Sequence, residues 1–97
     1  MAVVVTNTWV RPNTGVDWYI SSEAESDYFE ANFHDNNKLT VNSTTISGDG
    51  LTRTRVVTFT DDATRNEWKA DSTVATFHNN RKTYCTNNSI SYTISVS

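Results

Sequence analysis

The stretch FHNNRKTYC, residues 77–85, brings a histidine, an arginine, a tyrosine and the chain's one cysteine together. His78, Arg81 and Cys85 stand at i, i+3 and i+7, so on a helix they share a face. Such a trio could hold an anion or present a thiol. Ordinary helix chemistry accounts for it as well. Basic side chains near a helix C-terminus offset its dipole, Tyr84 falls on the stripe of Phe77 and Val74, and a lone cysteine packs as a small apolar residue. The helix-end reading is preferred. His34 precedes Asp35, and a histidine–carboxylate pair can support general-base chemistry. Adjacent helical residues do not face each other, however, and His34 also reads as a group compensating a helix end. The two histidines lack HxH or HExxH spacing, and one cysteine cannot build a thiolate zinc site, so no metal is expected. No motif calls for a cofactor, and the catalytic residues stay unknown.

Trp9, Trp18 and Trp68 are the better site candidates. Aromatic side chains with a few polar groups line most small-molecule sites, and His34 and His78 could join them, with Asn7, Asn32 and Asn66 as further polar members. A small domain also uses tryptophan to build its core, and that reading competes at each of the three.

The elements that would position these groups follow from composition and pattern. The chain has 97 residues, room for one small domain that buries about two-thirds of its unfolded surface. Its 8 basic and 11 acidic residues give a net charge of −3, which offers no electrostatic case for nucleic acid or an anionic membrane. No apolar run approaches the ~20 residues of a membrane span. MAVVVTNTW lacks the charged flank and long apolar core of a signal peptide. A cytoplasmic location is therefore expected, with the sequons at Asn42 and Asn87 unglycosylated. Three tryptophans, four tyrosines and four phenylalanines against three glycines and one proline argue for a folded chain.

Residues 2–10, AVVVTNTWV, are β-branched and read as a strand, ended by the loop chemistry of residues 11–15. Ser22 and Glu25 match a capping box, and Ala24, Tyr28 and Ala31 share a stripe with Phe29 and Phe33 beside it. This predicts a helix over 22–35, stopped by Asn36-Asn37. KLTVNSTTIS (38–47) and LTRTRVVTFT (51–60) read as strands joined by a turn at Gly48-Asp49-Gly50. Thr60 or Asp61 then opens a second helical region. There Val74, Phe77, Arg81 and Tyr84 share a stripe while Trp68 projects from nearly the opposite side, so a break is predicted near Asp71-Ser72, with Ser72 capping the fresh helix. Asn87-Asn88 ends the region. SISYTISVS (89–97) alternates with a period of two.

The order β-α-β-β-α-β is the split βαβ, or ferredoxin-like, arrangement. It predicts a single α+β domain over 1–97, with a four-stranded antiparallel sheet and two helices on one face. One register of the strands is apolar and should face the helices: Val3 and Val5, Leu39 and Val41, Val57 and Phe59, then Ile90, Tyr92, Ile94 and Val96. The opposite register is mostly threonine and serine, interrupted by Val4, Val10, Ile46 and Val56. Antiparallel sheets often leave such a face wet. Threonine also suits burial, since its methyl packs while its hydroxyl finds a partner, and the interspersed apolar residues favour a homodimer through this face. RNA-recognition modules share the topology but carry stacking aromatics on the open face of strands one and three. Strand three here offers threonines and Val56, so no nucleic acid is expected.

The element order, the size and the stretch VTFTDDATRNEWKADSTVATFHNNRKTYC (57–85) resemble the dimeric α/β-barrel proteins of ferredoxin-like fold, the superfamily that includes the antibiotic-biosynthesis monooxygenases and small relatives. The likeness lies in a strand ending in an acidic turn, a short helix carrying an aromatic, a kink near Asp71-Ser72, and a second helix leading into the last strand. The resemblance implies a homodimer with its two sheets face to face. It also implies a pocket between sheet and helices lined by aromatic, histidine and asparagine side chains. Two functions stay open: a small-molecule-binding or enzyme-like dimer with its pocket near Trp9, Trp18 and Trp68, or a non-catalytic structural or interaction protein of viral or uncultured-microbial origin.

Overall fold

Apolar and β-branched side chains at alternate positions set the four strands of the computed structural model, which describes residues 2–97. They are β1 (Val3–Val10), β2 (Leu39–Ile46), β3 (Thr52–Phe59) and β4 (Ser91–Val96). The sheet order is β2-β3-β1-β4, and every neighbouring pair is antiparallel. β3 separates β1 from β2, and β1 separates β3 from β4, so both helical segments are crossovers. The first is α1 (Glu23–Phe29), which continues as a π-helical turn over Glu30–His34. The second is α2 (Asp62–Ala70) followed by α3 (Ser72–Asn87). The fold is α+β, with three helices where the sequence predicts two segments, the second being broken.

Each helix starts where a side chain satisfies backbone N–H groups that have no helical partner. Ser22 Oγ accepts from Glu25 N at 3.2 Å, and Asp61 Oδ1 accepts from Thr64 N at 2.8 Å. The break falls where the phase of the apolar residues requires it, but Asp71 caps α3 rather than Ser72. Its Oδ1 accepts from Thr73 N and Val74 N at 2.8 and 3.0 Å, while its other oxygen takes the Tyr28 hydroxyl and ties the bend to α1. Tyr28 and these backbone donors hold the Asp71 carboxyl below the usual carboxylate range.

The helix expected over 22–35 changes geometry at Glu30, where Asp35 N reaches back five residues to Glu30 O at 2.8 Å. Asn37 then takes the left-handed conformation at φ 60, as the Asn36-Asn37 stop requires. After α3 the left-handed residue is Ser89, φ 58, one beyond the predicted asparagine pair. Asn88 caps instead, donating through its side chain to Tyr84 O at 2.8 Å.

The core lies on one side of the sheet. Val3, Val5, Leu39, Val57 and Phe59 meet Phe33 and Val74 there, with Tyr28, Phe29 and Trp68 packed around them. A second cluster joins Trp9 and Ile90 to Cys85, flanked by Val16, Trp18 and Tyr84. Two features depart from strict alternation. A bulge at Asn42 puts Val41 opposite Val57 but Ser43 opposite Val56, and one extra residue reverses the faces beyond it. Thr44 and Ile46, expected on the open face, therefore pair with Arg55 and Arg53 on the helix side. Tyr92, Ile94 and Val96 do take the helix-side register, opposite Trp9, Asn7 and Val5, yet stay 43%, 53% and 46% exposed at the sheet edge. The opposite face carries Val4, Thr6, Thr8 and Val10 across from Thr58, Val56, Thr54 and Thr52, and every buried strand residue lies in the other register.

Candidate functional site

Between sheet and helices lies an open cavity of ≈ 920 Å³. Its floor is the inward register of two adjacent strands, Val5, Asn7 and Trp9 with Arg55, Val57 and Phe59. Phe29 from α1, Trp68 from α2, and Phe77, His78 and Arg81 from α3 form its roof. The period of two fixes the floor, and the bend at Asp71 turns Trp68 inward. Its volume lies within the range of drug-sized ligand pockets.

One end is aromatic. The Trp68 ring stacks on Phe29 at 5.0 Å and meets Phe33 and Phe59 edge-on at 4.8 and 5.6 Å. His78 lies 5.4 Å from the same ring. Burial, helped by the Arg81 charge, pushes the His78 imidazole down to about 4, so it is neutral at pH 7. His34 also lines this cavity. Its Nδ1 stands 3.1 Å from the Leu39 carbonyl oxygen, an acceptor only, which fixes the proton on that nitrogen.

The other end is basic. Arg53 and Arg55 share the inward register of β3, and Arg81 comes down from α3. The Arg53 and Arg81 guanidinium carbons lie 5.9 and 5.0 Å from the Trp9 ring centroid, and Tyr92 stacks on Trp9 at 5.3 Å. A recess of ≈ 40 Å³ shares Trp9, Arg55 and Arg81 with the large cavity and adds Trp18 and Arg53. Arg53, Arg55, Arg65, Lys69, Arg81 and Lys82 all line this connected space, against Glu25 and Glu30 alone of the acidic residues. Six of the 8 basic groups and two of the 11 acidic ones gather here, a local formal charge of +4 in a chain of net −3.

Among the described residues none of these charges has an ion-pair partner, and the one ion pair is Lys38–Glu67, at 2.8 Å on the surface. Arg55 Nε is buried with no hydrogen-bond partner. Burial, and then the neighbouring Arg53 and Arg81, pull the Arg55 guanidinium below its ordinary value. Glu25 is the nearby candidate counter-ion. It is buried and instead accepts the Tyr19 hydroxyl at 2.5 Å, an arrangement in which burial first and Glu25 second push Tyr19 up to about 12. Burial also raises the Cys85 thiol, leaving it a poor nucleophile at neutral pH.

The structure separates the candidate residues into two groups. Trp9 and Trp18 meet at the basic recess, while Trp68, His34 and His78 line the large cavity. Asn7 faces the cavity and accepts the Tyr92 hydroxyl. Asn32 is exposed and donates to Tyr28 O, and Asn66 is exposed on α2. The His34–Asp35 pairing does not form, because His34 turns to Leu39. His78, Arg81 and Cys85 share a face as their spacing requires, and all three line the cavity. Arg81, read from sequence as a helix-end charge, reaches across to the Trp9 and Tyr92 rings. Arg53 and Arg55 were missed, although they alternate in phase with Val57 and Phe59 and so had to point inward. No protein-family model, curated protein or solved structure matches the chain.

Proposed function

We propose that the chain is a ferredoxin-like domain of the dimeric α/β-barrel kind that binds a small molecule between its sheet and its helices. The ≈ 920 Å³ cavity carries this reading. A domain of this size gains its stability by close packing, and a space that large under a three-helix roof forfeits contacts that an occupant would supply. Its lining combines aromatic walls at one end with a cluster of charged and polar groups at the other, which could fix the orientation of a ligand.

The proposed partner across the other face is a second copy. Val4, Val10 and Val56 stand there among threonines, none of them in a core cluster, and pairing two such faces would bury them. The proposal is for binding and assigns no reaction: His34 is tied to a backbone carbonyl and burial keeps Cys85 a thiol.

Native mass spectrometry of freshly purified protein tests both parts together. A dimer carrying extra mass is the expected spectrum, and that mass begins the identification of the ligand. A bare monomer that also fails to bind any member of a broad small-molecule screen would overturn the proposal.

A further inference from the structure

We infer that the cavity selects an amphiphilic organic anion, with its carboxylate held by Arg55 and Arg81 beside Arg53 and its apolar body lying toward Trp68 and Phe77. This rests on the small-molecule reading above and adds the chemical class of the ligand.

Three observations converge on it. Arg55 Nε is buried without an acceptor, and a buried charged donor left unpaired is among the costlier features a fold can carry. Arg53 and Arg81 approach the Trp9 ring, but a cation–π contact stabilises a charge without neutralising it. The acidic group nearest to hand, Glu25, is committed to Tyr19. A ligand carboxylate would supply the missing acceptor and match the planar fork of a guanidinium with two parallel hydrogen bonds.

The second observation is placement. The basic residues Arg65, Lys69 and Lys82 line the same cavity against Glu25 and Glu30, and such a net positive lining raises the local concentration of anions. The third is the opposite end, where Trp68, Phe29, Phe77 and Phe59 offer nothing to a second charge. An inorganic anion would leave that end empty, and a neutral apolar molecule would leave the arginines unpaired. One molecule with an acidic head and an apolar body meets both ends.

The test is calorimetric titration of the full chain with matched acid–amide pairs, from benzoate and benzamide up to 2-naphthylacetate and 2-naphthylacetamide, with tryptophan fluorescence alongside. The acids should bind at least tenfold more tightly than their amides, and the preference should shrink as salt rises. Arg55→Met should abolish the preference while leaving amide affinity within about twofold, and Arg55→Lys should keep only part of it. If Arg55→Met does not fold, Arg81→Met reads the same preference. Equal affinities for acid and amide in the unaltered protein would overturn the anion assignment and leave the small-molecule reading standing. No binding by any member of the series would also overturn the anion assignment, and the small-molecule reading would then stand or fall on native mass spectrometry and the broad screen.

Discussion

Arg11 and Arg81 each lie over a tryptophan, at 4.6 Å from the Trp18 ring and 5.0 Å from the Trp9 ring, and the two corners are put to different uses. Arg11 Nε donates to Gly50 O and its Nη1 to Val16 O, both at 2.8 Å. That guanidinium fastens the β2–β3 turn to the loop after β1. Gly50 holds φ +75, and a Cβ there would stand 3.4 Å from Arg11 Nη2 and 3.3 Å from Thr14, so the close approach depends on glycine. At the other corner Arg53, Arg55 and Arg81 surround Trp9 with no carboxylate in ion-pair reach. The same residue type is a clasp where backbone carbonyls meet its fork, and under the proposal above an anion-binding group where none do. A clasp stabilises the free protein. Part-buried cations without an ion-pair partner weaken it, and substitutions at the two corners should differ in sign.

The largest effect should come from Trp9→Ala. The ring is buried against Cys85 and Ile90, and its loss should cost about 3–5 kcal/mol in urea unfolding. Trp18→Ala should cost less, about 1–3 kcal/mol, because its ring is only half-buried. A reversed order would show that the basic corner is less well packed than its geometry implies. Arg11→Met comes next. Removing two hydrogen bonds from a charged donor should lower stability by about 2–3 kcal/mol and leave ligand binding unchanged.

The two corners also differ in how much of them was legible. Trp9 and Trp18 stood out as aromatics near strand ends, and the structure brings them together. The caps at Ser22 and Asp61 and the break near Asp71 could be read because local hydrogen bonds and stripe phase are properties of neighbouring residues. The bulge at Asn42 could not, since it is decided by pairing with a strand distant in sequence, and it moved Ile46 to the other face. The apolar side chains of β4 read as core from alternation alone, but burial depends on what covers an edge strand. The arginines show a different failure. Arg53 and Arg55 occupy inward positions in LTRTRVVTFT, but arginine belongs to none of the catalytic or metal-binding motifs by which a site is found in sequence. A charged pair in an apolar register was the signal.

Arg55→Met tests the comparison most directly, because its expected sign is opposite to that of Arg11→Met. Replacing a part-buried guanidinium whose Nε has no acceptor by an apolar side chain of similar length should raise the stability of the free protein by about 1 kcal/mol. A site kept for binding sacrifices stability in this way, and a structural arginine does not. If Arg55→Met destabilises the ligand-free protein as much as Arg11→Met does, the two corners serve the same purpose and the proposed distinction between clasp and binding group fails.

The smallest effect is expected from pH. His78 sits between the Trp68 ring and the Arg81 charge, and burial first, then Arg81, lowers its value from 6.5 to about 4. In the unfolded chain it takes up a proton near 6.5, whereas in the folded state it resists until about 4. The unfolded state thus binds more protons across that window, and stability falls as pH drops through it and is flat above it. The loss should be on the order of 1 kcal/mol, because the ring is only part-buried and solvent screens the full shift. The caps Asp61 and Asp71 titrate lower, their carboxyls being held below the usual carboxylate range by the hydrogen bonds they accept, so the histidine window is separable from theirs. His78→Phe should flatten the stability curve between pH 6.5 and 4. Bound anion should flatten it too, at least in part, by offsetting the Arg81 charge that helps keep the imidazole neutral. A curve that keeps its slope in His78→Phe would place the sensitive group elsewhere and remove His78 from the basic corner's electrostatics.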